Sequence, residues 1–128
     1  VDVTALRQEL QERLENIVGL TAFGTVPAKP IVPCAIVRIG TINYQDTLTL
    51  GSAEVNFTIQ ILVQMSDWPS MQNALDLYLS TGNAESISDA VEASDLQTQV
   101  DRAEPVSMID YGTVSYGSVT FYGRMLVG

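Results

Sequence analysis

Val55-Asn56-Phe57-Thr58-Ile59-Gln60-Ile61-Leu62-Val63-Gln64-Met65 alternates between apolar and mostly polar side chains. Val55, Phe57, Ile59, Ile61, Val63 and Met65 take one side; Asn56, Thr58, Gln60, Leu62 and Gln64 take the other. A period of two is that of a β-strand, whose successive side chains point to opposite faces of a sheet. The first set packs a core, and the second, largely polar set faces outward. A strand of this kind belongs to an antiparallel sheet covered on one side. Its outward face, with Asn56, Thr58 and Gln60, is also suited to a subunit contact.

Upstream, Cys34-Ala35-Ile36-Val37-Arg38-Ile39 is a second strand by its β-branched content. Between the two strands, Asn43–Ser52 is polar, rich in threonine and longer than a tight hairpin turn needs. A loop of that size is either an idle insertion or a contact element. Before Cys34, the prolines at 27, 30 and 33 remove ladder donors, so this stretch reads as an extended connector. Leu20–Val26 ahead of it reads as an edge strand. The chain opens on an amphipathic helix, with Leu6, Leu10, Leu14 and Ile17 on one stripe. Asp2 or Thr4 can cap its start, and Gly19 sits where a left-handed C-cap belongs.

Downstream, Ser66-Asp67-Trp68-Pro69 is a helix start, a capping side chain followed by proline in the first turn. Met71, Ala74, Leu75, Tyr78 and Leu79 follow at helical spacing as far as Gly82. A shorter helix from about Ala84 turns Ile87, Ala90 and Val91 inward. Trp68 reads as a lid on the core rather than a ligand platform. Val106–Asp110 and Val114–Leu126 close the chain as two strands, with Gly117 and Gly123 marking a bulge or a close backbone approach. Strands on either side of a helix pair give an α+β fold. Its mostly antiparallel sheet of about four or five strands is packed by the N-terminal helix and the central pair.

The whole chain is 128 residues with 46% hydrophobic side chains, the size of one domain with its own core. Its fifteen acids, six bases and absent histidine leave a net charge of −9. No histidine means no Ser-His-Asp triad, no Cys-His pair and no imidazole metal ligand. The one cysteine, Cys34, forms no internal disulfide or thiolate cluster, and reads as a small core residue. A pI of about 4.1 argues against a nucleic-acid partner, since phosphates need lysine and arginine. The apolar runs are too short to cross a bilayer, and the N-terminal stretch has no signal-peptide pattern. The chain starts on Val1 rather than Met, which leaves a trimmed leader open.

No phosphate loop, dinucleotide fingerprint, nucleophile elbow or calcium loop is present. Carboxylates such as Asp89 with Glu92 and Asp101 with Glu104 lie in polar surroundings, where a general acid is not expected. No catalytic residue, cofactor or metal is therefore expected. The acids concentrate in residues 66–104, which hold eight of them against Arg102 alone. This is either a solvated helical face or a patch that orients the domain against a partner. The five tyrosines, Tyr44, Tyr78, Tyr111, Tyr116 and Tyr122, fit core or interface equally.

Several pieces then come in a telling order. Ala5–Leu14 opens the chain, the proline connector precedes a strand, and the long alternating strand follows. Leu75-x-x-Tyr78-Leu79-Ser80-x-Gly82, Ser86-Ile87-x-x-Ala90-Val91-Glu92, Tyr111-Gly112 and Phe121-Tyr122-Gly123 complete the order. Across nearly the whole chain this resembles the small tail terminator and neck proteins of long-tailed bacteriophages, especially those infecting actinobacteria. The resemblance implies a mixed sheet with helices packed on it and a non-enzymatic assembly role in the virion. It implies a ring of copies, typically six, on the end of the tail tube. Such a ring stops growth of the tube protein and offers a surface to the head connector. Relatives often carry arginine in the long loop between the central strands, whereas Asn43–Ser52 holds Asp46 and no base. The expected contact residues are Tyr44, Asp46 and Leu48 in that loop with Asn56, Thr58 and Gln60 on the strand. Two other readings stand beside this one: a head-completion or joining protein of the same neck, and a cellular α+β domain that binds a small ligand.

Overall fold

In the computed structural model, residues 3–17, 20–24, 33–43, 53–64, 68–82, 86–92, 98–104, 107–111 and 114–127 are described. The elements are α1 (Val3–Glu15), β1 (Thr21–Phe23), β2 (Cys34–Asn43), β3 (Ala53–Gln64), α2 (Trp68–Leu79), α3 (Ile87–Glu92), β4 (Thr98–Ala103), β5 (Ser107–Tyr111) and β6 (Val114–Val127). The fold is α+β with a mostly antiparallel sheet in the order β1-β2-β3-β6-β4. β5 pairs with the first part of β6 and β4 with the last part. The sheet is therefore five positions wide although six strands build it. β1, at the edge, runs parallel to β2, and every other pairing is antiparallel.

β4 is the element not expected from the sequence. Thr98-Gln99-Val100-Asp101-Arg102-Ala103 has no apolar alternation because its inward and outward positions are both mainly small or polar. Its pairing is supplied from outside. β6 offers a ladder from Phe121 to Met125, and the Glu104 amide continues it by donating to the Thr120 carbonyl at 2.7 Å. Strand β2 is also longer than its β-branched run, continuing through Gly40 and Thr41 to Asn43 by way of a bulge between Ile39 and Ile42.

All three helices pack on one face of the sheet. Leu6, Leu10, Leu14 and Ile17, Leu75 and Tyr78, and Ile87 and Val91 meet Val55, Phe57, Ile59, Ile61 and Val63 in one core. The stripe read on α1 and the inward set read on β3 are buried as expected; Ala74, Leu79 and Ala90 are partly buried at its margin. Gly19, the connector around the prolines, and the side chains of Trp68 and Met71 lie outside the described residues. Gly82 stands at φ +79°, a left-handed conformation that glycine adopts without a Cβ penalty, just past the end of α2.

Short helix α3 is held at both ends. The Asp89 amide donates to Ser86 Oγ at 3.1 Å, an N-cap. At its other end, Arg13 of α1 donates from Nη1 to the Val91 carbonyl at 2.7 Å and to Thr98 Oγ1 at 3.3 Å. A cation there satisfies a helix-terminal carbonyl and complements the helix dipole. The acids of α3 also make hydrogen bonds within the fold. Glu92 is half-buried and accepts from Ser88 Oγ and from the Val100 amide, tying α3 to β4. Asp89 accepts from the Gly82 amide at 2.7 Å.

Candidate functional site: the open half of the sheet

Among the described residues, no helix packs on the second face of the sheet. In an antiparallel pair, residues directly opposite point the same way. Asn56 faces Arg124, Thr58 faces Tyr122, Gln60 faces Thr120, Leu62 faces Ser118 and Gln64 faces Tyr116. On the other side Cys34 faces Leu62, Ile36 faces Gln60 and Arg38 faces Thr58. This face, read from the sequence as largely polar, falls into two halves.

At one end Cys34, Ile36, Leu62 and Tyr116 form a second, smaller core, with Phe23 partly buried against it. Leu62 is fully buried despite its place among the outward residues of β3. Cys34 is a small core residue, as read, and burial pushes its thiol up from its ordinary 9.0 to about 11. A neutral, enclosed thiol is a poor nucleophile.

At the other end the face is open and polar. Arg38, Thr58, Tyr122 and Arg102 stand in one row across β2, β3, β6 and β4. With neighbouring strands under 5 Å apart, the row spans about 14 Å. The Arg102 guanidinium lies 4.2 Å over the Tyr122 ring, a cation–π contact that holds its plane against the sheet. Arg102 Nε reaches Glu104 at 3.6 Å. In the next row Arg124 lies 3.5 Å from Asp101 and 3.9 Å from Glu54, and Gln99 Nε2 donates to Asp101 at 2.9 Å. Arg38 is exposed and has no acidic partner among the described residues. The Asn56 amide donates to the Thr41 carbonyl at 3.3 Å and so pins the bulged part of β2.

Two irregularities shape this half. β4 bulges at Asp101, between the pairs Val100–Gly123 and Arg102–Tyr122, and β2 bulges beside Gly40. Gly123 has to be glycine: a Cβ there would stand 2.5 Å from Phe57 Cζ and 2.6 Å from the Gln99 carbonyl oxygen. The close backbone approach read from this glycine is what occurs, with β6 running through it unbroken. The result is an open cleft of about 230 Å³ lined by residues that include Gly40, Asn56, Thr58, Asp101, Arg102 and Tyr122. It is smaller than the roughly 300–1,000 Å³ of a small-molecule pocket.

Asn56, Thr58 and Gln60 are thus brought together on this face, each half-buried. Tyr44, Asp46 and Leu48 lie outside the described residues. Tyr78 and Tyr116 are core, and Tyr122 is the surface tyrosine of the set whose ring is described. Arg38, Arg102 and Arg124 were missed by sequence reasoning. Nothing in a single sequence gives the register that puts them in adjacent rows. Among the described residues no three acids or thiols gather as a metal-binding set, and no helix is long and apolar enough to cross a membrane.

The chain matches no protein-family model and no curated protein.

Proposed function

We propose that this chain is a structural assembly protein of a long-tailed phage. It forms a ring at the head-proximal end of the tail tube, where it stops tube polymerisation and joins tail to head connector. The observation that carries this reading is the asymmetry of the sheet. One face is closed by three helices, while, among the described residues, half of the other is left open as a polar, arginine-bearing surface. That is an arrangement for protein contact: side chains rich in hydrogen-bonding groups, a tyrosine and arginines, which are enriched at interfaces. The order of motifs along the chain supplies the particular assembly, by resemblance.

Electron microscopy of a lysate from phage with a nonsense mutation in this gene tests the proposal. Overlong, unattached tubes beside filled heads are expected. Free tails of normal length would move the protein to head completion or joining. Intact infectious virions would end both.

A further inference from the structure

We propose that copies of this chain join head to tail, with the outward face of α2 on one copy seated on the open half of the next copy's sheet. The proposal names the partner of the surface described above and rests on the ring reading in one respect, that the chain meets its own copies.

Two leucines point to it. Among the described residues, the exposed large hydrophobic side chains are Leu77, 50% exposed, and Leu126, 44% exposed. Leu77 is on the solvent side of α2, on the helical face of the molecule. Leu126 pairs with Glu54 and so lies on the opposite, open face of the sheet. One exposed leucine is ordinary on any protein surface. Here each of the two opposed faces carries one, and a head-to-tail contact would cover both.

The charges are arranged in the same sense. Residues 66–95, which contain α2 and α3, have six acids and no base. Three of the chain's six bases, Arg38, Arg102 and Arg124, stand on the open sheet face. Beside Leu77 is exposed Asp76, and two residues before Leu126, on the same face, is Arg124. Leu126 also stands directly across from Glu54, so the charges around it are of both signs. The ion pairs already on the sheet face are exposed, apart from half-buried Glu54, and lie at 3.5–3.9 Å. Pairs of that kind are weak and exchange readily for a better-placed carboxylate. The cleft of about 230 Å³ takes a side chain or two, and the Asn56 amide, Thr58 hydroxyl and Arg102 guanidinium around it can all donate to an acid.

Two copies meeting through α2 and α3 would set acids against acids. A contact between unlike patches is heterologous: it closes into a ring when the rotation per copy divides a full turn, and extends into a filament otherwise. The contact proposed here is of that unlike kind.

The test uses two half-broken variants of the full chain, followed by native mass spectrometry and sedimentation at low and high salt. Asp76→Lys with Leu77→Ser breaks the helical side; Arg102→Glu with Leu126→Ser breaks the sheet side. None of these residues belongs to either core. Wild type should self-associate, more weakly at high salt. Each variant alone should be monomeric, with self-association weakened roughly tenfold or more. Mixed together they should form a dimer of about 28 kDa, twice the 13.9 kDa chain, because each retains one intact face. If the sheet variant shows a changed circular dichroism spectrum, Arg38→Gln with Leu126→Ser takes its place. Assembly of either variant as in wild type, or a mixture that stays monomeric, overturns this contact and leaves the ring reading standing. Wild type that remains monomeric at every concentration, with and without tail tubes, overturns both.

Discussion

Thr58 and Leu62 lie four residues apart on one strand and point to the same face, yet Leu62 is fully buried and Thr58 is half exposed. The strand's own alternation is identical at both. What differs is the company each keeps across the sheet. Leu62 stands between Cys34 and Ser118, within reach of Ile36 and Tyr116. Thr58 stands between Arg38 and Tyr122, with Arg102 beyond. Cross-strand neighbours decide whether a sheet face closes or stays open, since apolar partners gain by excluding water and guanidinium groups do not. A periodic pattern on one strand announces two faces, but it does not say that either face is uniform.

The comparison can be broken at its closed end first. Leu62→Ala should cost about 3 kcal/mol in urea unfolding, the range for an enclosed leucine, and Thr58→Ala less than about 0.5 kcal/mol. Equal costs would mean that the two halves do not differ as described. Under the open half, Gly123→Ala should cost about 2 kcal/mol, because the new methyl meets a backbone carbonyl and the buried Phe57 ring, neither of which can swing away. A neutral result would remove the close approach that shapes the cleft.

A smaller effect separates the halves by pH. The folded chain keeps the Cys34 proton between the ordinary 9.0 and about 11, while the unfolded chain releases it. The stability linked to this thiol is therefore complete below pH 9 and is lost as pH rises through about 11. Cys34→Ala should lose stability less steeply than wild type across that window. Parallel curves for the two proteins would mean that the thiol is not enclosed. The smallest expected change is at the open end: Arg102→Ala should leave the unfolding midpoint within about 0.5 kcal/mol of wild type. A large destabilisation would make the Arg102–Tyr122 pair a fold element rather than a surface free for contact.

Much of the fold was legible along the chain. The stripe Leu6, Leu10, Leu14, Ile17 and the alternation from Val55 to Val63 each place their buried residues correctly, because a local period reports directly which side of an element meets the core. β4 was not legible, since its strand character comes from the ladder that β6 presents rather than from its own side chains. The candidate site was legible only in part. Asn56, Thr58 and Gln60 could be placed on an outward face, but their neighbours Arg38, Tyr122 and Arg102 come from three other strands.

By itself, then, the sequence determined the element types other than β4, the α+β class, the inward set of each long element and the concentration of acid in residues 66–104. Those are properties of one segment at a time, carried by periodicity and composition. Only the tertiary structure decided that all the helices share one face, that the other face is half closed, and that the arginines stand in adjacent rows. Register and layer order arise from pairing between segments far apart in the chain, and two bulges shift that register locally on β2 and β4.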